Sequence, residues 1–299
     1  MQSGLPAMKV MRYWYCLLLA GGLMLPAVLP AHTDLMVRIE MLTGQLENDP
    51  TDINALIQRG ELYRRHGDFE LSSADLAKAR ELDPADPMLD WYEGRLALDA
   101  GDYKNADQLM SRYLVSHPEH AVAWHQRAKA RVGLEEYLLA ADDFSKAIEL
   151  SDQPGPGLYR SLALSTVAAG SEHIPAAEEA VQVALGWFPG EVSILGLATD
   201  LSLAQSDTRL AQSYMSGISK RLLELPQWRF REAVRVCLEG DPDAAVEIFT
   251  KLLKETESGA MARAGTWTMP VESVANLAKE PLPGNCAAAA WETLRLKQP

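Results

Sequence analysis

A step of 34 residues runs through the middle of this chain and leaves little freedom in what it folds into. Pro50, Pro84 and Pro118 are separated by it, as are Gly60, Gly94 and Ala128, then Gly67, Gly101 and Glu135. Phe69, Tyr103 and Tyr137 keep the step, and so do Ser72, Ala106 and Ala140, then Leu76, Met110 and Phe144, then Ala79, Tyr113 and Ala147. A unit this short cannot bury its own apolar face, so each copy must stack on its neighbours and share one continuous core.

The chemistry of the columns predicts a helix hairpin. Gly60, Gly94 and Ala128 are small residues in mid-helix, where glycine costs about 1 kcal/mol of helix propensity and is tolerated if another helix must come close. Gly67-Asp68 and Gly101-Asp102 supply the turn, a residue free to take positive φ followed by a carboxylate that caps the next helix. Ala74 to Ala79 keeps small and apolar residues at helical spacing, and Pro84 and Pro118 then stop the second helix. Asp86-Pro87 restarts the chain as an N-cap with proline in the first turn.

From Ile53 to about Asp152 this pattern resembles the tetratricopeptide repeat family. Leu56, Arg59-Gly60, Tyr63, Ser72, Leu76, Ala79 and Pro84 carry the family's signature in the first copy, and Trp124, Ala128, Tyr137, Ala140, Phe144 and Ala147 carry it in the third. The second copy departs from it, with Tyr113 where alanine is usual, which is expected to shift that helix crossing. Weaker helix pairs continue over 155–189, 191–225 and 226–258, the last with a restored turn at Gly240-Asp241-Pro242. The resemblance implies an all-α, right-handed superhelical solenoid of about six antiparallel helix pairs. The expected layout is a leader over 1–31, an N-terminal capping helix over 32–50, three well-matched repeats over 51–154, three degenerate ones over 155–259 and a C-terminal capping segment over 260–299.

In the resembled family the first helix of each repeat lines a concave groove that receives an extended peptide or a partner's helix. Carried over, the groove positions here are Asn54, Ile57, Glu61 and Arg64, then Trp91, Arg95 and Leu98, then His125 and Lys129. Trp91 offers flat apolar area, and Arg64, Arg95 and Lys129 offer cations for a carboxylate; the alternative is that Trp91 packs between helices and the charges are solvated. Members that clamp the C-terminal carboxylate of cytosolic heat-shock chaperones use a lysine and an asparagine where this chain has Ile57 and Glu61, so that role is not expected.

The first 31 residues carry Lys9 and Arg12, no acidic residue, an apolar middle and a small residue at Ala31, the pattern of a secretory signal peptide. An exported, periplasmic protein is expected, the alternative being an uncleaved membrane anchor. Lys and Arg number 28 against 41 Asp and Glu, a net charge of −13; losing Lys9 and Arg12 leaves 26 against 41, or −15. That balance argues against a nucleic-acid partner, which needs a basic surface. Cys237 and Cys286 then remain, and an oxidising compartment permits a bond between them that would staple the last segment to the sixth repeat. No phosphate loop, nucleophile elbow or zinc motif is present, and no catalysis or cofactor is expected. A rival reading is a metal-handling accessory protein using His32 at a processed N-terminus or the His117, His120 and His125 group; a third is self-association of the repeats.

Overall fold

The computed structural model describes residues 29–257, 277, 279 and 283–296. Most of the expected leader, and the first part of the expected C-terminal capping segment, lie outside the described residues. Fifteen α-helices and no strands are present among them, in two compact segments that divide after Leu82.

The first segment holds α1 (Leu29–Asn48), α2 (Ile53–His66) and α3 (Phe69–Leu82), with α1 packed on α2 and α2 on α3. The second holds four hairpins: α4 (Pro87–Asp99) with α5 (Tyr103–Ser116), α6 (Ala121–Gly133) with α7 (Tyr137–Leu150), α8 (Pro156–Ala169) with α9 (Ile174–Trp187), and α10 (Val192–Ala204) with α11 (Thr208–Ser216). A short α12 (Lys220–Leu223) leads to a fifth hairpin of α13 (Pro226–Leu238) and α14 (Pro242–Glu257). With α2 and α3 these make six helix pairs, an all-α repeat array. No helix among the described residues is long and apolar enough to cross a membrane.

The hairpins are closed by one device. The described residues with positive φ are Gly67, Gly101, Glu135, Gly170, Ser206 and Gly240, one at each of the six turns. At five of them the next residue donates its N–H to the carbonyl five residues back: Asp68 to Tyr63 at 2.9 Å, Asp102 to Ala97 at 2.8 Å, Glu136 to Arg131 at 2.9 Å, Asp207 to Ser202 at 2.8 Å and Asp241 to Val236 at 3.2 Å. This is the Schellman closure, in which a left-handed residue lets the chain turn back and satisfy a carbonyl the helix has left open. Asp102, Asp207 and Asp241 then cap the following helix through the N–H groups of Asn105, Leu210 and Ala244. The fourth turn differs: Gly170 has φ 152° and a single 3-10 turn, Ser171–His173, leads into α9.

Close approach at mid-helix follows from the small-residue column. A Cβ on Gly94 would sit 3.2 Å from Leu109 Cβ and closer still to Met110 Cε, and one on Gly60 would sit 3.3 Å from Leu76 Cγ. Ala128 fills the same place in the third pair with no exposed surface.

The residue before this column carries a second, polar registration. Arg59 donates Nε and Nη2 to the two oxygens of Asp75 at 2.8 and 2.7 Å and Nη1 to Thr43 Oγ1 at 3.1 Å. Arg127 repeats it with Asp143 at 2.8 and 2.7 Å and Ser111 Oγ at 3.1 Å. In each case the partners lie 16 residues ahead and 16 behind, so one guanidinium ties three successive helices. Thr43 on α1 stands to Arg59 as Ser111 on α5 stands to Arg127, which gives α1 the role of a second helix packed on the first pair. The second pair has Glu93 and Leu109 in these columns and lacks the clamp.

Two substitutions test this account in opposite directions. Gly101 has φ 78° with nothing within 4 Å of an added Cβ, so Gly101→Ala pays only the left-handed backbone cost and lowers unfolding stability by about 1–2 kcal/mol. Ser72 is fully buried in an otherwise alanine column, and its Oγ has no hydrogen-bond partner among the described residues. Ser72→Ala removes that desolvated hydroxyl and raises stability by about 1 kcal/mol. Urea titrations of the two variants beside the parent check both signs.

Candidate functional site

Counting back ten, six and three residues from the positive-φ residue of each turn places the same three positions on every first helix. In the first pair these are Ile57, Glu61 and Arg64, in the second Trp91, Arg95 and Leu98, and in the third His125, Lys129 and Val132. All but Val132 are groove positions expected from the sequence. Val132 was not among them, although the step that aligns Glu135 with Gly67 and Gly101 marks it as the counterpart of Arg64 and Leu98.

In the first segment Asn54 is exposed at the start of α2 and Ile57 is buried. Glu61 and Arg64 face each other one helical turn apart, with Arg64 Nε and Nη2 donating to the two carboxylate oxygens at 2.9 and 2.7 Å. Arg64 is therefore engaged within its own helix, and a partner's carboxylate would have to compete with Glu61 for it.

In the second segment Trp91 is 7% exposed and belongs to a core cluster with Met110, Tyr113, Leu114 and Ala123. Its ring lies 5.5 Å from Tyr113 and 4.8 Å from His120. The anchoring role expected of Trp91 is thus corrected: the indole packs between helices and offers no open face. Leu98 is likewise core, packed with Ala97, Ala106, Leu109 and Ala130. Arg95 lies over the Trp91 ring at 5.2 Å, an arrangement that holds a guanidinium in place through cation–π attraction. Lys129 is exposed on α6, which packs on α4.

Tyr113 explains the histidines. It sits where the repeat pattern calls for alanine, and its ring needs a pocket. His117 stacks on it, with ring centroids 4.3 Å apart and planes inclined by 7°, and the phenol hydroxyl lies 2.8 Å from His120 Nδ1. The loop is pinned further by Trp124, whose indole N–H donates to the Pro118 carbonyl at 2.7 Å while Arg127 covers its face at 4.6 Å. His125 points elsewhere, against Phe144 at 5.7 Å. The metal group expected of His117, His120 and His125 is therefore not assembled, and no cluster of three or more metal-ligating side chains occurs among the described residues. The side chain of His32 lies outside the described residues.

A separate open cleft of about 780 Å³ lies between α11–α12 and α13–α14, with Met215, Ile218 and Trp228 at its apolar side. Two of its cations are held within the protein, Arg229 by Glu255 at 2.8 Å and Arg235 by Glu232 at 2.7 Å and Glu239 at 2.6 Å, while Lys220 and Lys251 on its rim are exposed.

In the last three pairs the same three positions read Arg160, Leu164 and Val167, then Gly196, Asp200 and Leu203, then Phe230, Val234 and Cys237. Apart from Arg160, which is half-buried, all of these are buried. Asp200 is matched there by Arg231, whose Nε and Nη2 reach its two oxygens at 2.8 Å. The cover over these positions is α15 (Pro283–Leu296), which packs on α8, α10 and α13, and Cys286 on α15 is disulfide-bonded to Cys237 across a Cα separation of 6.4 Å.

No protein-family model matches this chain, and no curated protein matches it in sequence. Solved structures match its fold. A tetratricopeptide repeat protein from Parabacteroides merdae aligns with a TM-score of 0.53 over 84% of this chain and 93% of its own, at 17% identity. YrrB, a TPR protein with an unusual peptide-binding site, aligns at 0.51 over 60% of this chain and 91% of its own, at 18% identity. PilF of Pseudomonas aeruginosa gives 0.51 over 68% and 90%, at 18% identity.

Burial sets a pH dependence at this site. Desolvation holds His120 below the ordinary histidine value of 6.5, with the neighbouring charge of His117 adding to it, and desolvation with Lys129 does the same to His125. Both imidazoles bind protons more weakly folded than unfolded, so stability is full above pH 6.5 and falls as the pH drops through their folded values. Unfolding measured at pH 7.5 and 5.5 should show a loss at the lower pH. A His120→Gln, His125→Gln double variant should show a smaller one.

Proposed function

We propose that this chain, whose fold is that of the tetratricopeptide-repeat proteins, is a non-enzymatic scaffold that binds a protein or peptide on the first-helix face of its second and third repeats. One observation carries the reading: that face presents two cations, the half-buried Arg95 held over Trp91 and Lys129 exposed on the adjoining helix, in a chain whose net charge is −13. A local positive site in an acidic protein attracts an acidic partner segment and repels none of its own fold. Because both first helices are fixed by buried cores, the face is ordered before binding and little conformational entropy is lost on capture.

We further place the protein outside the cytosol, where the bond between Cys237 and Cys286 would persist; the basic and apolar composition of residues 1–31 supports the same reading.

The test is charge reversal. Arg95→Glu with Lys129→Glu should reduce capture of partner in a crosslinked pull-down from a periplasmic fraction by at least tenfold, with the helical circular dichroism unchanged. Lys146→Glu, on the exposed side of α7, should leave capture intact. Equal loss in both variants would indicate nonspecific charge attraction and remove the site.

A further inference from the structure

The inner positions of the last repeats are closed over. Leu203 and Cys237 are each 1% exposed and Val234 is fully buried, whereas Lys129, the counterpart of Val234 in the third repeat, is exposed. The helix α10 is buried without interruption from Ile194 to Leu203. A first helix flanked only by its neighbours keeps one face open; burial all round requires a cover. That cover is α15, packed on α8, α10 and α13.

The seating has the chemistry of helix-in-groove recognition. Cys286, Ala289 and Ala290 form one buried stripe at the i, i+3, i+4 spacing of a helix face, in a cluster with Leu203, Phe230, Val234 and Cys237. Gly284, Asn285, Ala288 and Glu292 lie exposed on the other side. Small residues on the seated stripe let the α15 backbone come down onto Phe230 and Leu203, and the disulfide fixes its register.

We propose that the first-helix face of α8, α10 and α13 is a second binding site, specific for a short amphipathic helix with a stripe of Ala, Ser or Cys at i, i+3, i+4. The helix α15 is its resident occupant, and Cys237–Cys286 is the lock that excludes partners of the same chemistry. The inference rests on the reading of the first-helix face as the binding face, but uses different repeats and an apolar contact. Unlocking consumes one equivalent of a dithiol reductant: its thiolate attacks one sulfur of the bond, its second thiol resolves the mixed disulfide, and two cysteine thiols and an oxidised reductant result. Once unlocked, α15 remains tethered at an effective concentration in the millimolar range, so a free helix of equal affinity competes only at comparable concentration, and a partner at lower concentration must bind correspondingly tighter.

The experiment uses the full chain carrying Cys237→Ser, Cys286→Ser and Ala290→Arg, which removes the lock and puts a charge on the seated stripe. The probe is a fluorescent peptide of residues 283–296 with Cys286→Ser, followed by anisotropy. The expected result is binding at least tenfold tighter to this variant than to the oxidised parent, and at least tenfold tighter than a peptide that also carries Ala290→Arg. Arg95→Glu with Lys129→Glu added to the variant should leave peptide binding unchanged, which separates this site from the cationic one. Equal binding of both peptides, or loss of cooperative unfolding in the variant, would make α15 ordinary core and overturn the proposal. A concentration-dependent dimer of the Cys237→Ser, Cys286→Ser chain would assign the site to a second copy and overturn the partner assignment.

Discussion

Everything in this molecule hangs on a backbone event that recurs six times: one residue of each hairpin enters positive φ, and in five turns the next N–H reaches back five residues to close the helix end. A left-handed residue costs an L-amino acid about 1–2 kcal/mol, which is why glycine holds four of the six positions. Glu135 and Ser206 accept the cost, and the hydrogen bonds that follow them, at 2.9 and 2.8 Å, are as short as those after glycine. The turn aligns the two helices of a pair, and that alignment sets which side chains meet at mid-helix and which face inward.

Because geometry is counted from the turn, the period was readable wherever the turn residue was glycine. The first two turns and the sixth carry Gly-Asp, and in the first two both the helix bounds and the inner positions follow from the sequence. The third turn is legible only by its distance from the others. The fourth keeps a glycine, Gly170, but the fourth and fifth fall off the common step, with spacings of 35 and 36 residues, so their inner positions emerge only with the backbone in view.

Of the two fates the sequence left open for Trp91, anchor or packing between helices, Tyr113 decides for the second. A tyrosine in an alanine column needs partners for its ring, and Trp91, His117 and His120 supply them. Two unusual features of the sequence, the misplaced tyrosine and the histidine-rich loop, are one packing solution. The last segment was expected as a cap stapled by Cys237 and Cys286, and that bond is present; a helix of alanines gives no hint of how far its cover extends, which reaches α8 and α10 as well as α13.

The six turns use backbone atoms. The residues ten, six and three places before them contribute side chains that take no part in the closure. Folding instructions and recognition chemistry therefore occupy different letters of the same 34-residue word. A lineage can rewrite the inner letters, from Glu61 and Arg95 to Val234, without disturbing the hairpin that presents them. Duplication of one unit hands it a new inner surface already correctly mounted.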